Sequence, residues 1–303
     1  MSEFKSGFVS IVGRPNVGKS TLVNSFVKNK VSIISPKAQT TRNKIQGICT
    51  TDNFQIIFID TPGIHKPKHK LGEFMNKESF SSLTDCDLVL LLIDATSDFG
   101  RGDEFVLDII SEKRETKVFL VVNKIDLVKD KNELIKNVDM FFSRFKFDEV
   151  YYVSALTGEN MDKLLDAIVS ELPAGPMYYP MSQICDHPES FIISEIIREK
   201  VLKLTEEEVP HSVSVYVESM KQDEKNPNLT NIMATIVCER KSQKKIIIGS
   251  GGKMIKEIGT LARQDIVMLL GCKVYLELFV KVIEDWRNSQ YQLKSLGYTT
   301  EEY

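Results

Sequence analysis

Gly13-Arg14-Pro15-Asn16-Val17-Gly18-Lys19-Ser20, followed by Thr21, is the stretch that decides the fold. It reads G-x-x-x-x-G-K-[ST], a phosphate-binding loop pattern. Gly7 to Val12 precedes it, a short β-branched run with the character of a buried strand. Thr21 to Val27 follows with the character of a helix. Backbone N–H groups of such a loop, at the start of a helix, give oriented partial positive charge to a polyphosphate. Gly13 and Gly18 let the chain approach the oxygens, Lys19 adds a full charge at the outer phosphates, and the Ser20 hydroxyl suits Mg²⁺.

Working outward, strand-like runs at 7–12, 45–50, 54–59, 88–93, 118–122 and 149–153 alternate with helix-like stretches near 19–28, 72–83, 103–114, 132–144 and 160–170. Thr51-Asp52-Asn53 joins the second and third runs as a hairpin. The expectation is an α/β domain with a mostly parallel sheet, one antiparallel edge and helices on both faces. Ligands of such sheets lie beyond the strand C-termini, and the remaining motifs fall there. Ile56 to Ile59 leads into Asp60-Thr61-Pro62-Gly63. An apolar strand ending in Asp puts a carboxylate near Mg²⁺, and Gly63 offers a backbone N–H to a γ-phosphate. Val118 to Val122 leads into Asn123-Lys124-Ile125-Asp126. The Asp126 carboxylate accepts from guanine N1–H and the 2-amino group, donors that adenine lacks. Lys124 can lie over the purine, and Asn123 can tie this loop to residues 13–20. Ser154-Ala155-Leu156, which says nothing on its own, would in this context place a backbone N–H at guanine O6.

These motifs, in this order, resemble the translation-factor-related class of GTPases. The resemblance implies nucleotide contacts from Gly13 to Thr21, Asp60 to Ile64, Asn123, Lys124, Asp126, Ser154 and Ala155, with GTP, GDP and Mg²⁺ as cofactors. Ser35 to Asn43, SPKAQTTRN, is similar to switch I of the Era-like branch, in which Thr41 meets Mg²⁺ and the γ-phosphate. That makes Ser20, Thr41 and Asp60 the metal set, and Lys19, Thr41 and Gly63 the catalytic set. Ile64 stands where Ras-like proteins carry a water-orienting glutamine, so intrinsic hydrolysis is expected to be slow. Several relatives hold K⁺ with an asparagine of this loop, and Asn16 matches it; a loop-stabilising amide is the plainer reading of Asn16. The basic cluster His65-Lys66-Pro67-Lys68-His69-Lys70 reads either as a solvated switch II or as a contact for RNA phosphate.

The chain has 303 residues, enough for two domains, with 42% hydrophobic and 27% charged residues and a net charge of −3. A generic polyanion binder is thereby excluded, and any nucleic-acid site must be a local patch. Five scattered cysteines without C-x-x-C argue against a disulfide framework or a zinc site. No signal peptide is read at the start, and the longest apolar run, Leu88 to Ile93, is too short to span a bilayer. A cytoplasmic location is expected, with peripheral contact at the inner face of the membrane left open.

Residues 171–190 hold four of the ten prolines, and periodicity stops there. The expected division is a nucleotide-binding domain over 1–175, a linker over 176–190 and an α+β domain over 191–303. The second domain reads as an amphipathic helix from Phe191 to Leu204, strands at 212–219 and 231–239, a helix–glycine–helix segment from Lys244 to Leu270 and a strand at 273–280. A C-terminal segment with the only tryptophan, Trp286, closes it. Ile248-Gly249-Ser250-Gly251-Gly252-Lys253 contains G-x-x-G, which alone is no more than a helix–helix turn. The α-β-β-α-α-β order is that of a type II KH domain, where such a loop holds the backbone of single-stranded RNA. From Arg240 to Arg263 there are seven Lys and Arg against one Glu, a basic patch on an acidic chain.

The stretches 198–212, 242–259, 273–282 and 286–298 look like Era-like GTPases, so the resemblance covers nearly the whole chain. It implies a GTP-hydrolysing switch that binds the 3′ end of 16S rRNA and acts in assembly of the 30S subunit. The RNA contacts would be Lys244, Lys245, Ile248, Gly249, Ser250, Gly251, Gly252 and Lys253. Ser250 departs from the family, whose loops carry a basic residue there. No stable protein partner is inferred, and a monomer is expected. The competing reading is a signalling GTPase whose C-terminal domain binds protein.

Overall fold

The structure, a computed structural model, describes residues 3–35, 37, 40–64, 67, 69–112 and 116–298. Pro36, Ala38 and Gln39 of the switch I stretch, and His65, Lys66 and Lys68 of the basic cluster, lie outside them. The chain forms two compact units. The first comprises Met1–Ser32, Thr41–Pro67 and Gly72–Asp186; the second comprises Ile33–Thr40, Lys68–Leu71 and His187–Tyr303.

The first unit follows β1 (Lys5–Val12), α1 (Lys19–Val27), β2 (Ile45–Thr50), β3 (Phe54–Asp60), α2 (Lys70–Ser81), β4 (Leu88–Asp94), α3 (Arg101–Ser111), β5 (Lys117–Asn123), α4 (Lys131–Arg144), β6 (Glu149–Tyr152) and α5 (Met161–Glu171). Six strands form one sheet in the order β2-β3-β1-β4-β5-β6. Only the β2–β3 pair is antiparallel. Leu88 to Leu92 are all buried, which is why β4 is apolar throughout instead of alternating. The register places Ile11 opposite Asp60 and Asp94 opposite Asn123, so β1 and β3 end nearly together, as do β4 and β5, all toward one edge of the sheet.

The proline-rich stretch is not a bare tether. Ser6 N–H donates to the Pro173 carbonyl (3.1 Å), and the Gln55 side chain accepts from the N–H groups of Tyr178 (2.7 Å) and Tyr179 (2.9 Å). Cys185 then bridges to Gly47 in antiparallel fashion on the outer edge of β2, flanked by Ile48 N–H donating to Ile184 O (3.0 Å). Residues 183–186 thus cover an otherwise open strand edge.

The second unit carries α6 (Glu189–Leu204), β7 (Ser214–Gln222), β8 (Leu229–Cys238), α7 (Lys241–Ile248), a 3₁₀ turn (Ser250–Gly252), α8 (Lys253–Leu270), β9 (Lys273–Val282) and α9 (Gln290–Ser295). The sheet order is β7-β8-β9, with β7 antiparallel and β9 parallel to β8. A parallel pair needs a crossover, and α7 and α8 provide it. Ile258, Ala262 and Ile266 recur at helical spacing on α8 and are fully buried, as are Ile232, Ala234 and Ile236 on the inward face of β8. The hairpin strands run further than the sequence suggests, leaving 223–228 as the loop. Asp223 caps that loop, accepting from the N–H groups of Lys225 (3.0 Å) and Asn226 (2.9 Å). Trp286 is wholly buried, its Nε1–H donating to Ser212 O (2.9 Å). Among the described residues no helix is long and apolar enough to cross a membrane.

Candidate nucleotide and RNA sites

The loop after β1 is shaped by glycine. Gly18 has φ +102°, and a Cβ there would lie 2.3 Å from the Asn123 amide nitrogen. The strand end and the loop are therefore closed on each other in a way only glycine permits. Asn123 is buried and donates through Nδ2 to Val17 O (2.9 Å), while its Oδ1 accepts from Ala155 N–H (2.9 Å). One side chain thereby joins three separate stretches, 13–20, 123–126 and 154–156. In this arrangement the Ala155 N–H serves the architecture of the loop.

Lys19 is 6% exposed and donates to the carbonyls of Gly13 (3.1 Å) and Arg14 (3.0 Å). Burial lowers its pKa to about 8, against an opposing pull from Asp60. Ser20 Oγ and Thr41 Oγ1 are 2.9 Å apart, and Thr41 is buried. Asp60 is fully buried, and neither of its oxygens has a hydrogen bond of good geometry. Burial raises its pKa; the nearby Ser20 hydroxyl, the Lys19 ammonium and the Ser32 hydroxyl oppose the rise. A buried carboxylate without a partner is costly. A hard divalent cation is what oxygen donors of this kind satisfy, so Ser20, Thr41 and Asp60 fit Mg²⁺. Thr61 Oγ1 donates to Ile11 O (2.8 Å), and Ser79 Oγ donates to Pro62 O (2.8 Å), pinning the turn after β3. A Cβ on Gly63 would come within 2.8 Å of Pro15, so the turn lies directly against the loop.

Two residues behave differently from what their motif position suggests. The Arg14 side chain turns toward the start of α3, pairing with Asp103 (2.8 Å) and reaching Asp98 O (3.3 Å). Ile64 is 2% exposed within a core cluster that includes Val12, Leu83, Leu91 and Val106. Its side chain is part of the packing. Ile64→Gln is therefore expected to lose about 2–4 kcal/mol of stability, from a buried amide and lost packing, without raising hydrolysis. Urea unfolding beside single-turnover hydrolysis checks both halves. Asn16 is exposed, in the left-handed region at φ +67°, a conformation asparagine tolerates better than most residues.

Asp126 sits exposed in the 3₁₀ turn Ile125–Leu127 at the mouth of the site. Lys124, at φ +66°, pairs through Nζ with Asp94 Oδ2 (2.6 Å). Burial would push the Asp94 carboxyl up, but Lys124 and the Thr96 donors outweigh it and hold the pKa below the usual range. Asp94 thus fixes the Lys124 stem where a purine would lie. No motif marks Asp94 in the sequence beyond its place at the end of an apolar strand.

Lys19 gives the site a pH dependence with a definite sign. Phosphate favours the charged amine, so binding raises the pKa of Lys19 above its value in the free protein. Above pH about 8 the amine must take up a proton on binding, and nucleotide affinity falls as the pH rises further. Below that range this group adds no pH dependence. Calorimetry at pH ~8.5 in two buffers of different ionisation heat is expected to show the proton uptake.

In the second unit, Gly249, Gly251 and Gly252 all have positive φ (74°, 58° and 78°), and α8 begins at Lys253. The loop therefore caps the N-terminus of a long helix, whose dipole and unpaired N–H groups favour phosphate. Ile247 is buried and belongs to the core, whereas Ile248 is half-buried beside the loop. Lys245, Ser250 and Lys253 are exposed and Lys244 is half-buried. A groove of about 490 Å³ lies between α8 and β9. Ile255, Lys256, Thr260 and Arg263 line one wall, Tyr275 and Leu276 the other. Lys256 and Arg263 bring positive charge to the groove, with the Glu277 carboxylate also in its lining. These lining residues escape a reading of the glycine motif alone, because the wall on β9 is contributed from beyond the end of α8.

A family model described as a 50S ribosome-binding GTPase matches residues 8–124, and a KH-domain model matches residues 208–287. Among solved structures, Era in complex with MgGDPNP and nucleotides 1506–1542 of 16S ribosomal RNA is 41% identical over 98% of this chain and 99% of that one, with a TM-score of 0.94. A point variant of Aquifex aeolicus Era bound to GDP and AlF₄⁻ is likewise 41% identical, over 98% and 100%, with a TM-score of 0.93.

Proposed function

Because the chain belongs to the Era family of GTPases, we propose that it is a GTP-binding and GTP-hydrolysing switch that carries its output on RNA, the single-stranded 3′ end of 16S rRNA, and acts in assembly of the 30S subunit. The observation that carries the reading is the buried Asp60 carboxylate, without a hydrogen bond of good geometry, beside Ser20 and Lys19, in a chain that also presents a glycine-capped helix and a groove lined by Lys256 and Arg263. The nucleotide-binding domain spans 1–175, the linker 176–190 and the KH domain 191–303.

In this reading Ser20, Thr41 and Asp60 hold Mg²⁺, which supplies neutralising charge to the β- and γ-phosphate oxygens. Lys19 adds a second positive charge at the same oxygens, and the N–H groups of residues 13–20 and of Gly63 orient them. Asp126 accepts from the guanine edge, while Lys124, steered by Asp94, covers its face. No glutamine orients the attacking water, so the intrinsic rate is slow; Asn16 would hold a K⁺ ion that contributes charge instead. Equal rates in K⁺ and Na⁺ buffers would remove that last role. Gly249 to Lys253 grip RNA phosphates, with Lys244 and Lys245 beside them and Ile248 against the first base. The chain works as a monomer without a stable protein partner. The RNA partner sets the location, the cytoplasm; no residue named here is assigned to a membrane contact.

Crosslinking the chain to RNA in a cell lysate and sequencing what is retained tests the output. Enrichment of the 3′ end of the small-subunit rRNA is expected. Recovery of unrelated RNA, or none, would return the second domain to the protein-binding alternative.

A further inference from the structure

Helix α6 is buried from Ile192 through Leu202, polar residues included. Among its enclosed charges is Arg198, with a side chain 1% exposed. A guanidinium leaves water at great cost unless a charge and its donors are met. Arg198 Nε donates to Glu195 Oε1 (2.7 Å), and a terminal nitrogen donates to Glu195 Oε2. That same nitrogen donates to the backbone carbonyl of Thr40. Thr40 belongs to the same compact unit as α6, at the end of Ile33–Thr40. Its own hydroxyl is turned back to the Lys37 carbonyl (2.7 Å). The next residue along the chain is Thr41, whose hydroxyl stands 2.9 Å from Ser20 Oγ. A planar fork that serves one carboxylate and one carbonyl together is a task for arginine, not lysine.

We propose that Arg198 is a positioning residue for GTP hydrolysis. By holding the Thr40 carbonyl it fixes the Thr40–Thr41 peptide, and with it the place of the Thr41 hydroxyl. It does so within the compact unit that holds both α6 and Thr40. This rests on the reading of Ser20, Thr41 and Asp60 as the metal set. Glu195 aims the guanidinium and keeps its charge matched.

The test is GTP hydrolysis by the full chain with Mg²⁺, comparing the wild type, Arg198→Lys, Thr41→Ala and the double variant. Arg198→Lys keeps a cation beside Glu195 but loses the fork. It is expected to lower kcat about tenfold with KM for GTP within about twofold, the signature of a group misplaced in the transition state. Thr41→Ala lowers kcat by itself, and adding Arg198→Lys to it lowers kcat by less than about twofold, because the second change acts through a hydroxyl already gone. The same tenfold loss in both backgrounds, or no loss in Arg198→Lys alone, overturns the proposal. An unchanged kcat in Thr41→Ala removes the metal-site reading, and the proposal with it. Should Arg198→Lys fail to fold by circular dichroism, the pair Arg198→Gln with Glu195→Gln removes both charges together and is read against the same outcomes.

Discussion

Asp126→Asn is expected to weaken GTP binding about 10³-fold or more and to turn the preference toward XTP. The carboxylate accepts two hydrogen bonds from guanine, at N1–H and the 2-amino group. An asparagine amide presents one acceptor and one donor. Its NH₂ then faces the guanine 2-amino group, donor against donor, in a site closed by the base itself. Xanthine carries an oxo group at that position, so the same NH₂ finds an acceptor and the paired geometry returns. Asp126 is exposed in a 3₁₀ turn and makes no contact on which folding depends. The variant should therefore fold normally, and binding of fluorescent GTP and XTP reads the exchange directly. Equal losses for both nucleotides would mean that Asp126 does not read the base.

The second large effect belongs to the other unit. Gly251→Asp is expected to weaken binding of a 16S 3′-end oligonucleotide about 10²-fold at ~0.1 M salt and to flatten its salt dependence. Gly251 sits at φ +58° with nothing within 4 Å of where a Cβ would be. Aspartate is among the side chains that visit this region at modest cost. The domain should therefore fold, with a carboxylate placed where phosphate is expected against the N-terminus of α8. GTP affinity should stay at its wild-type value. A variant that binds RNA normally would move the interface away from the glycine loop.

Much of this is legible in the residues themselves, for a physical reason. Motifs such as residues 13–20, 60–63 and 123–126 are local: each is a strand end and the turn after it, and the turn chemistry is written in consecutive positions. The parallel sheet followed from the same alternation. What the sequence hid is non-local. Asp94 is one more residue at the end of an apolar strand until Lys124 comes to it across the β4–β5 register. The outer edge of β2 gains Ile184 and Cys185 as neighbours from far along the chain, and a proline-rich stretch gives no period by which to foresee that pairing. The groove needs α8 and β9 side by side, and no residue of G-x-x-G lines it. Ile64, which as an isoleucine cannot orient water, takes a place that only the fold discloses, in the core among Val12, Leu83 and Leu91. Helix α9 went unforeseen because Gln290–Ser295 is too short to show a period.

The central claim is that the nucleotide state governs the hold on RNA, and one titration addresses it. The affinity of the full chain for a single-stranded oligonucleotide of the 16S 3′ end is measured at fixed salt with Mg²⁺ and either GDP or a non-hydrolysable GTP analogue. The account predicts Kd values that differ by about fivefold or more, the least that a useful coupling between two sites supplies. Identical Kd values would contradict it, leaving a GTPase and an RNA-binding domain that share a chain without sharing a switch.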